Sequence, residues 1–230
     1  MFEIKKILDY LVLTDNDTQL TIDFASNALE YRRKHGGGHG QLVAKACGLK
    51  KYSLPLTILD ATAGVGNDGY ILASLGCEVY LCEENAQIFS LLQDAHQRAL
   101  NNSNPAIALI AARMYLHHGN SSELIPQICS QQAIDIIYFD PMFPESKKSA
   151  LPKNSMQILR KIATYNTLED EIKLLTIASK YAHKRIVVKR HKNSPFFANC
   201  KPHASIHGKT NRFDLYTAKT PDIDSLEITL

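Results

Sequence analysis

Long apolar runs are absent from this sequence. Its longest uncharged apolar stretch, residues 106–112, is seven residues, against the roughly 20 that a helix needs to cross a bilayer. No secretory leader pattern opens the chain, so a soluble protein with no membrane partner is expected. Paired cysteines are also missing. Cys47, Cys77, Cys82, Cys129 and Cys200 are an odd number, spaced by 30, 5, 47 and 71 residues without a C-x-x-C. That spacing matches no zinc pattern, and reduced thiols in a cytoplasm, with no metal, are the simplest reading. Acid is lacking from residues 172–213, which hold ten Lys and Arg, whereas residues 1–30 hold six acids and two lysines. A basic stretch of this kind suits phosphates or nucleic acid, and equally a solvated face.

What is present is an ordinary globular balance: 230 residues, 45% hydrophobic and 21% charged. That is enough for one large domain, or one domain with an ordered extension. From residue 56 short β-branched runs alternate with helical patterns, the signature of an α/β fold with a mainly parallel sheet. The runs predict seven strands, at 56–60, 78–82, 114–117, 134–139, 185–189, 203–207 and 213–218. Helices are expected at 68–75, 86–101, 121–131 and 168–181, the last opened by Glu169, Asp170 and Glu171, acids that favour a helix N-terminus. The polar link Gly208-Lys209-Thr210-Asn211 is too short for a helical crossover, so the last two strands form an antiparallel hairpin. Residues 1–50 fall outside the alternation and read as a small N-terminal extension packed on a main domain of residues 51–230. The extension carries a strand candidate (20–24), a basic patch (Arg32-Arg33-Lys34), a glycine cluster and a helix (41–46).

Two strand ends carry chemistry. After the first, Gly64, Gly66 and Gly69 spell G-x-G-x-x-G before a helix, and Glu83 lies 19 residues beyond Gly64 at the end of the next strand. An acid placed there can hold two ribose hydroxyls, a context that fits a nicotinamide dinucleotide or S-adenosylmethionine (SAM). Asp60 makes the spacing D-x-x-x-G-x-G, typical of SAM-dependent methyltransferases. Its charge suits a cationic methionine portion and would disfavour a pyrophosphate; a carboxylate merely capping its own loop is the alternative. After the fourth strand comes Asp140-Pro141-Met142-Phe143-Pro144, resembling the D/N-P-P-Y/F signature of methyltransferases that act on exocyclic nitrogens. The amine of a base is a poor nucleophile because its lone pair is delocalised. The Asp140 carboxylate and Pro141 carbonyl would accept its two hydrogens and aim the lone pair, while Phe143 stacks on the base. A proline-rich turn with a core phenylalanine is the bland alternative.

The set Gly36-Gly37-Gly38-His39-Gly40, Val43-Ala44-Lys45-Ala46, Asp60-Ala61-Thr62-Ala63-Gly64, Leu72 to Cys77, Asp140 to Pro144, Lys147-Lys148-Ser149-Ala150-Leu151 and Arg212-Phe213-Asp214-Leu215-Tyr216 resembles the bacterial ribosomal RNA small subunit methyltransferase J family. The resemblance implies a class I, Rossmann-like SAM-dependent enzyme that methylates N2 of a guanine near the 3′ end of 16S rRNA (guanine 1516 in nucleotide numbering). Its partner would be 16S rRNA, the small subunit or an assembly intermediate, and the protein a monomer. Carried over by position, the family's cofactor contacts fall on Asn67 and Asp68, Glu83 and Glu84, Ser121 and Ser122, and Asp140. The family commonly has Arg-Asp at the first pair and Glu-Arg at the second, so Asn67 and Glu84 depart from it.

For RNA, Lys147, Lys148 and Lys153 follow the Asp140 loop, and Arg190 and Lys192 follow the fifth strand, on the side of the sheet that carries Asp140. The loop at residues 35–40 could present backbone N–H groups to a phosphate. Three rival readings stand: an N-methyltransferase of another nucleic acid or a protein amide, an NAD(P)-dependent oxidoreductase using the glycine turn, and an RNA-binding protein with a decayed cofactor site.

Overall fold

The computed structural model describes residues 2–15, 18–53, 55–142, 154–162 and 166–218. A three-stranded antiparallel meander opens the chain: β1 (Glu3–Ile7), β2 (Tyr10–Asp15) and β3 (Thr18–Leu20). The strand expected at 20–24 is therefore displaced, since Leu20 ends β3, although Ile22 and Phe24 beyond it are buried. Then come α1 (Asn27–His35) and α2 (Leu42–Ala46), on either side of a single turn of 3-10 helix, Gly38–Gly40.

The alternation that follows is β4 (Thr57–Asp60), α3 (Asn67–Ser74), β5 (Glu78–Glu83), α4 (Ala86–Leu100), α5 (Pro105–Ala111), β6 (Met114–His118), α6 (Ser121–Cys129) and β7 (Ile136–Phe139). Next are α7 (Asn154–Ile162), α8 (Leu168–Tyr181), β8 (Arg185–His191), β9 (Ala204–His207) and β10 (Asn211–Thr217). The seven strands form one sheet in the order β6-β5-β4-β7-β8-β10-β9. Pairs within β6 to β8 are parallel, and β10 runs antiparallel to both β8 and β9. This is the seven-stranded, mostly parallel α/β sheet with a C-terminal hairpin that the sequence predicts.

Local chemistry explains the helix starts. Thr167 and Asp170 make a reciprocal capping box at α8, satisfying two donors left orphaned at a helix start. At α5, the Asn104 side chain accepts from the Ala106 N–H and Pro105 occupies the first turn, where a missing N–H costs nothing. The apolar run at 106–112 is thus mostly an amphipathic surface helix. No helix among the described residues is long and apolar enough to cross a membrane.

Side chains alternate across the sheet, so each strand feeds two cores. Ile58, Ile136, Tyr138 and Val187 face a cluster that also takes Leu13, Leu20, Ile22 and Phe24 from the N-terminal segment. Leu59, Ile137, Phe139, Ile186 and Val188 face α6, α8 and the single helical turn Phe197–Asn199.

Candidate active site

The chain runs outward from β4 to β5 and β6, then returns to β7 on the other edge of β4. Strand order reverses between β4 and β7, and the segments leaving their carboxyl ends are held apart as a crevice. Those segments are the glycine turn after Asp60 and the start of the Asp140 loop. A cleft of about 770 Å³, counted out to solvent, opens there between Thr62, Gly64, Glu83, Ser121, Asp140 and Pro141. Ile88, Met142, Leu159, Ile162 and Leu174 give it an apolar wall.

Glu83 organises the floor. Its Oε2 accepts from Gly64 N at 2.8 Å and its Oε1 from Asn85 N at 2.8 Å, so one carboxylate ties the β4 turn to the start of α4. Among the described residues, two of its four lone-pair positions stay open to hydroxyl donors. Burial raises the Glu83 pKa, opposed by the two backbone N–H groups. Gly64 has φ of +54°, and a Cβ there would meet nothing nearer than Thr62 O at 4.0 Å; it would project into free space where a ligand comes close. Gly66 (φ +73°) acts differently, since a Cβ would lie 2.8 Å from Leu92 Cδ1. It permits packing and does not line the cleft. A buried acceptor with open positions, a glycine without a side chain and an apolar wall fit the ribose and flat base of a SAM nucleoside.

Asp140 stands at the mouth. Its backbone N donates to Thr62 Oγ1 at 2.6 Å, and its Oδ2 accepts from Lys189 Nζ at 2.7 Å. The same ammonium donates to Asp68 Oδ2 at 2.9 Å, which also accepts from Tyr138 OH at 2.8 Å. Arg32 Nη2 donates to the other Asp68 oxygen at 2.6 Å. Burial alone would raise the Asp68 pKa, but Lys189 and Arg32 outweigh it and hold the carboxyl well below the usual range. For Asp140 burial dominates and the pKa is raised, with Lys189 opposing. Asp60 has a backbone N–H from Thr62 at 3.2 Å and, among the described residues, no cation in hydrogen-bond contact; burial pushes its pKa well up.

The structure brings Gly64, Glu83, Glu84, Ser121, Asp140 and Pro141 to one cleft. Other expected contacts lie elsewhere. Asp60 is buried beneath the turn, 2% exposed. Asn67 points to solvent, and Asp68 is turned away into the Arg32–Lys189 network. Ser122 is drawn off by Asn120, whose side chain accepts from both Ser122 N and Ser122 Oγ.

Arg190 is not an RNA-facing residue. Its side chain is 3% exposed and donates to Glu171 Oε1 at 2.9 Å and to Pro195 O at 3.1 Å. Lys192 is exposed. Phe143, Lys147, Lys148 and Lys153 lie outside the described residues.

Sequence reasoning missed Tyr138, Thr62, Asn85 and Asn120, and read Lys189 as part of a basic RNA patch (residues 189–192) where the structure pairs it with Asp140. The two asparagines left a signal. Each precedes a helix, caps its N–H groups and lines the cleft, with Asn120 Nδ2 also holding Glu84 at 2.9 Å.

Comparison with known proteins agrees with this geometry. A family model described as putative SAM-dependent methyltransferase matches residues 4–218. A ribosomal RNA small subunit methyltransferase J from Marinobacter nauticus is 46% identical over 194 residues, covering 84% of this chain and 68% of its own. The protein of that name from Pseudomonas aeruginosa is 43% identical over 205 residues, 89% and 76% of the two chains. A crystal structure of a SAM-dependent methyltransferase from Neisseria gonorrhoeae superposes with a TM-score of 0.73 at 35% identity, covering 94% of this chain and 83% of that one. Matched along most of its length by the model and by these relatives, the chain belongs to the ribosomal RNA small subunit methyltransferase J family of SAM-dependent methyltransferases.

Proposed function

We propose that the protein methylates the exocyclic N2 of a guanine in 16S rRNA, in the small subunit or an intermediate of its assembly. The observation that carries the reading is the Asp140 carboxylate at the mouth of the cleft, fixed by Thr62 on its backbone and by Lys189 on its side chain. The names of the relatives supply the class of RNA.

SAM supplies an electrophilic methyl on a sulfonium; the residues of the chain do the rest. Glu83, with two oxygen positions open, holds the ribose hydroxyls. One N–H of the guanine amine donates a hydrogen bond to Asp140 and the other to the Pro141 carbonyl, localising the lone pair on N2. As the N–C bond forms and the C–S bond breaks, N2 becomes cationic and its proton passes to Asp140. A carboxyl whose pKa is raised by burial is the better acceptor for that proton. Phe143 is assigned to stacking on the base, and Lys147, Lys148, Lys153 and Lys192 to phosphates along the RNA.

The test is methyl transfer from labelled SAM to small subunits prepared from cells lacking this gene, followed by nucleoside analysis. Label recovered as N2-methylguanosine is the expected result. Label in another nucleoside, or in protein, would overturn it.

A further inference from the structure

A second hollow lies behind the Asp140–Lys189 pair. It is bounded by the end of α1, the glycine loop, the start of α2 and the β9–β10 turn, with Arg32, Gln41, Lys189, Lys209, Thr210 and Asn211 around it. Apart from Lys189, none of the residues lining it lines the cofactor cleft or enters the methyl-transfer step.

One buried group in its wall lacks a partner. Gln41 is 9% exposed and its Nε2 has no hydrogen-bond partner among the described residues. Arg32 Nε donates to Gln41 Oε1 at 3.2 Å, which fixes the amide's orientation and leaves the NH₂ as an unspent donor. A buried donor without an acceptor is costly unless a ligand supplies one.

The other groups also donate. Arg32 spends Nε on Gln41 and Nη2 on Asp68, leaving Nη1. Lys209 is exposed and makes no ion pair among the described residues. The one carboxylate in the wall, Asp68, is already occupied by Arg32, Tyr138 and Lys189. Arg32 and Lys189 balance Asp68 and Asp140, so Lys209 leaves the hollow one positive charge in surplus. Gly36 also lines the hollow, with its N–H already spent on Arg32 O at 2.8 Å. A Cβ on Gly36 would lie 2.3 Å from Arg32 O and 3.2 Å from Gln41 Nε2, so glycine is required over this wall.

We propose that this hollow holds a phosphate of the substrate RNA strand beside the target guanine, with Lys209, Gln41 Nε2 and Arg32 Nη1 as donors. It is an acceptor-hungry, cationic site whose only ring, Phe213, is 4% exposed, which suits a phosphate over a stacked base. Lys189 joins the two sites, because the ammonium in this wall also touches Asp140. The inference rests on the RNA reading above.

Gln41→Glu keeps an oxygen for Arg32, removes the NH₂ and adds negative charge. With small subunits lacking the modification as substrate, this variant should raise the RNA KM by about tenfold or more and leave the SAM Kd within twofold. Lys209→Ala should raise the RNA KM several-fold and flatten the slope of log affinity against log salt by roughly 0.7 to 0.9. A Gln41 that only braces Arg32 predicts an unmoved RNA KM in Gln41→Glu, which would overturn the proposal. If Gln41→Glu does not fold, Lys209→Ala decides, and an unchanged salt slope refutes the site. Methyl transfer by the wild-type enzyme with no effect of either variant sinks this inference alone; no transfer by the wild type sinks the RNA reading and the inference with it.

Discussion

Replacing Lys189 by Met removes the ammonium that Asp140 and Asp68 share, at 2.7 Å and 2.9 Å, while keeping most of the side chain's volume. At about 3 Å and an effective dielectric near 20 the gross attraction to each carboxylate is about 5 kcal/mol. The Asp140 side chain is 38% exposed, so solvent screening removes most of that. About 1 to 2 kcal/mol remains, and 1.36 kcal/mol corresponds to one pH unit of titration.

In the wild type burial raises the Asp140 pKa and Lys189 opposes the rise; without the ammonium the carboxyl titrates higher still. The proposed reaction uses Asp140 as a carboxylate, so the rate is expected to fall as pH drops through that value. The acid limb of kcat should move up by roughly one pH unit in Lys189→Met. Lys189→Arg retains the charge and should keep the limb near its original position. Single-turnover methyl transfer at saturating SAM and RNA, from about pH 5 to about pH 8, measures both. An acid limb that stays put in Lys189→Met would show that Asp140 is not the group whose ionisation the reaction reads. Asp68 would keep only Arg32 as a cation, and the melting temperature should fall by on the order of 5 °C.

Asp140→Ala should lower turnover on the order of 100 to 1,000 fold with SAM affinity within a few fold by isothermal titration; loss of SAM binding alongside turnover would reassign it to the cofactor. Glu83→Ala should weaken SAM binding first, because Gly64 N and Asn85 N lose their shared acceptor together with the ribose hydroxyls. An unchanged SAM Kd would contradict that. Arg190→Ala should destabilise the fold by about 3 to 5 kcal/mol in denaturant melts, since it leaves the buried Glu171 carboxylate without its cation. Its salt dependence of RNA binding should match the wild type, and a shallower slope would return Arg190 to the RNA surface.

Much of the sheet was legible because its strands are short β-branched runs between helical patterns, and each feeds two cores by alternation. The meander was not, since β1 reads Glu-Ile-Lys-Lys-Ile and is mostly exposed, with no alternation to betray it. Asp140 was legible because Asp-Pro follows an apolar strand; Lys189 was not, because its role depends on register. The parallel pairing of β7 with β8 sets Phe139 against Val188, which places the next residues, Asp140 and Lys189, side by side. The basic stretch misled for a related reason. Its acid-free window, residues 172–213, is bounded by Glu171 and Asp214, the acids that pair with its buried arginines: Arg190 with Glu171 and Arg212 with Asp214. Counting charge along a chain finds the cations and leaves out the folding that neutralises them.

Three carboxylates near one strand end are set apart by cations more than by depth. Asp68 has two cations in contact and is held ionised. Asp140 has one, with a raised pKa, and its side chain lines the cleft, 38% exposed. Asp60 has none in contact among the described residues, and burial pushes it toward the neutral form. Divergent environments of this sort assign roles to otherwise equivalent acids. A carboxyl buried under the turn can brace the loop but cannot reach an incoming amine, and Asp68, which spends three acceptor positions on Arg32, Tyr138 and Lys189, does not line the cleft. Asp140 alone among the three combines an ionisable oxygen, a fixed orientation and access to the cleft, which is why the methyl-accepting amine is assigned to it.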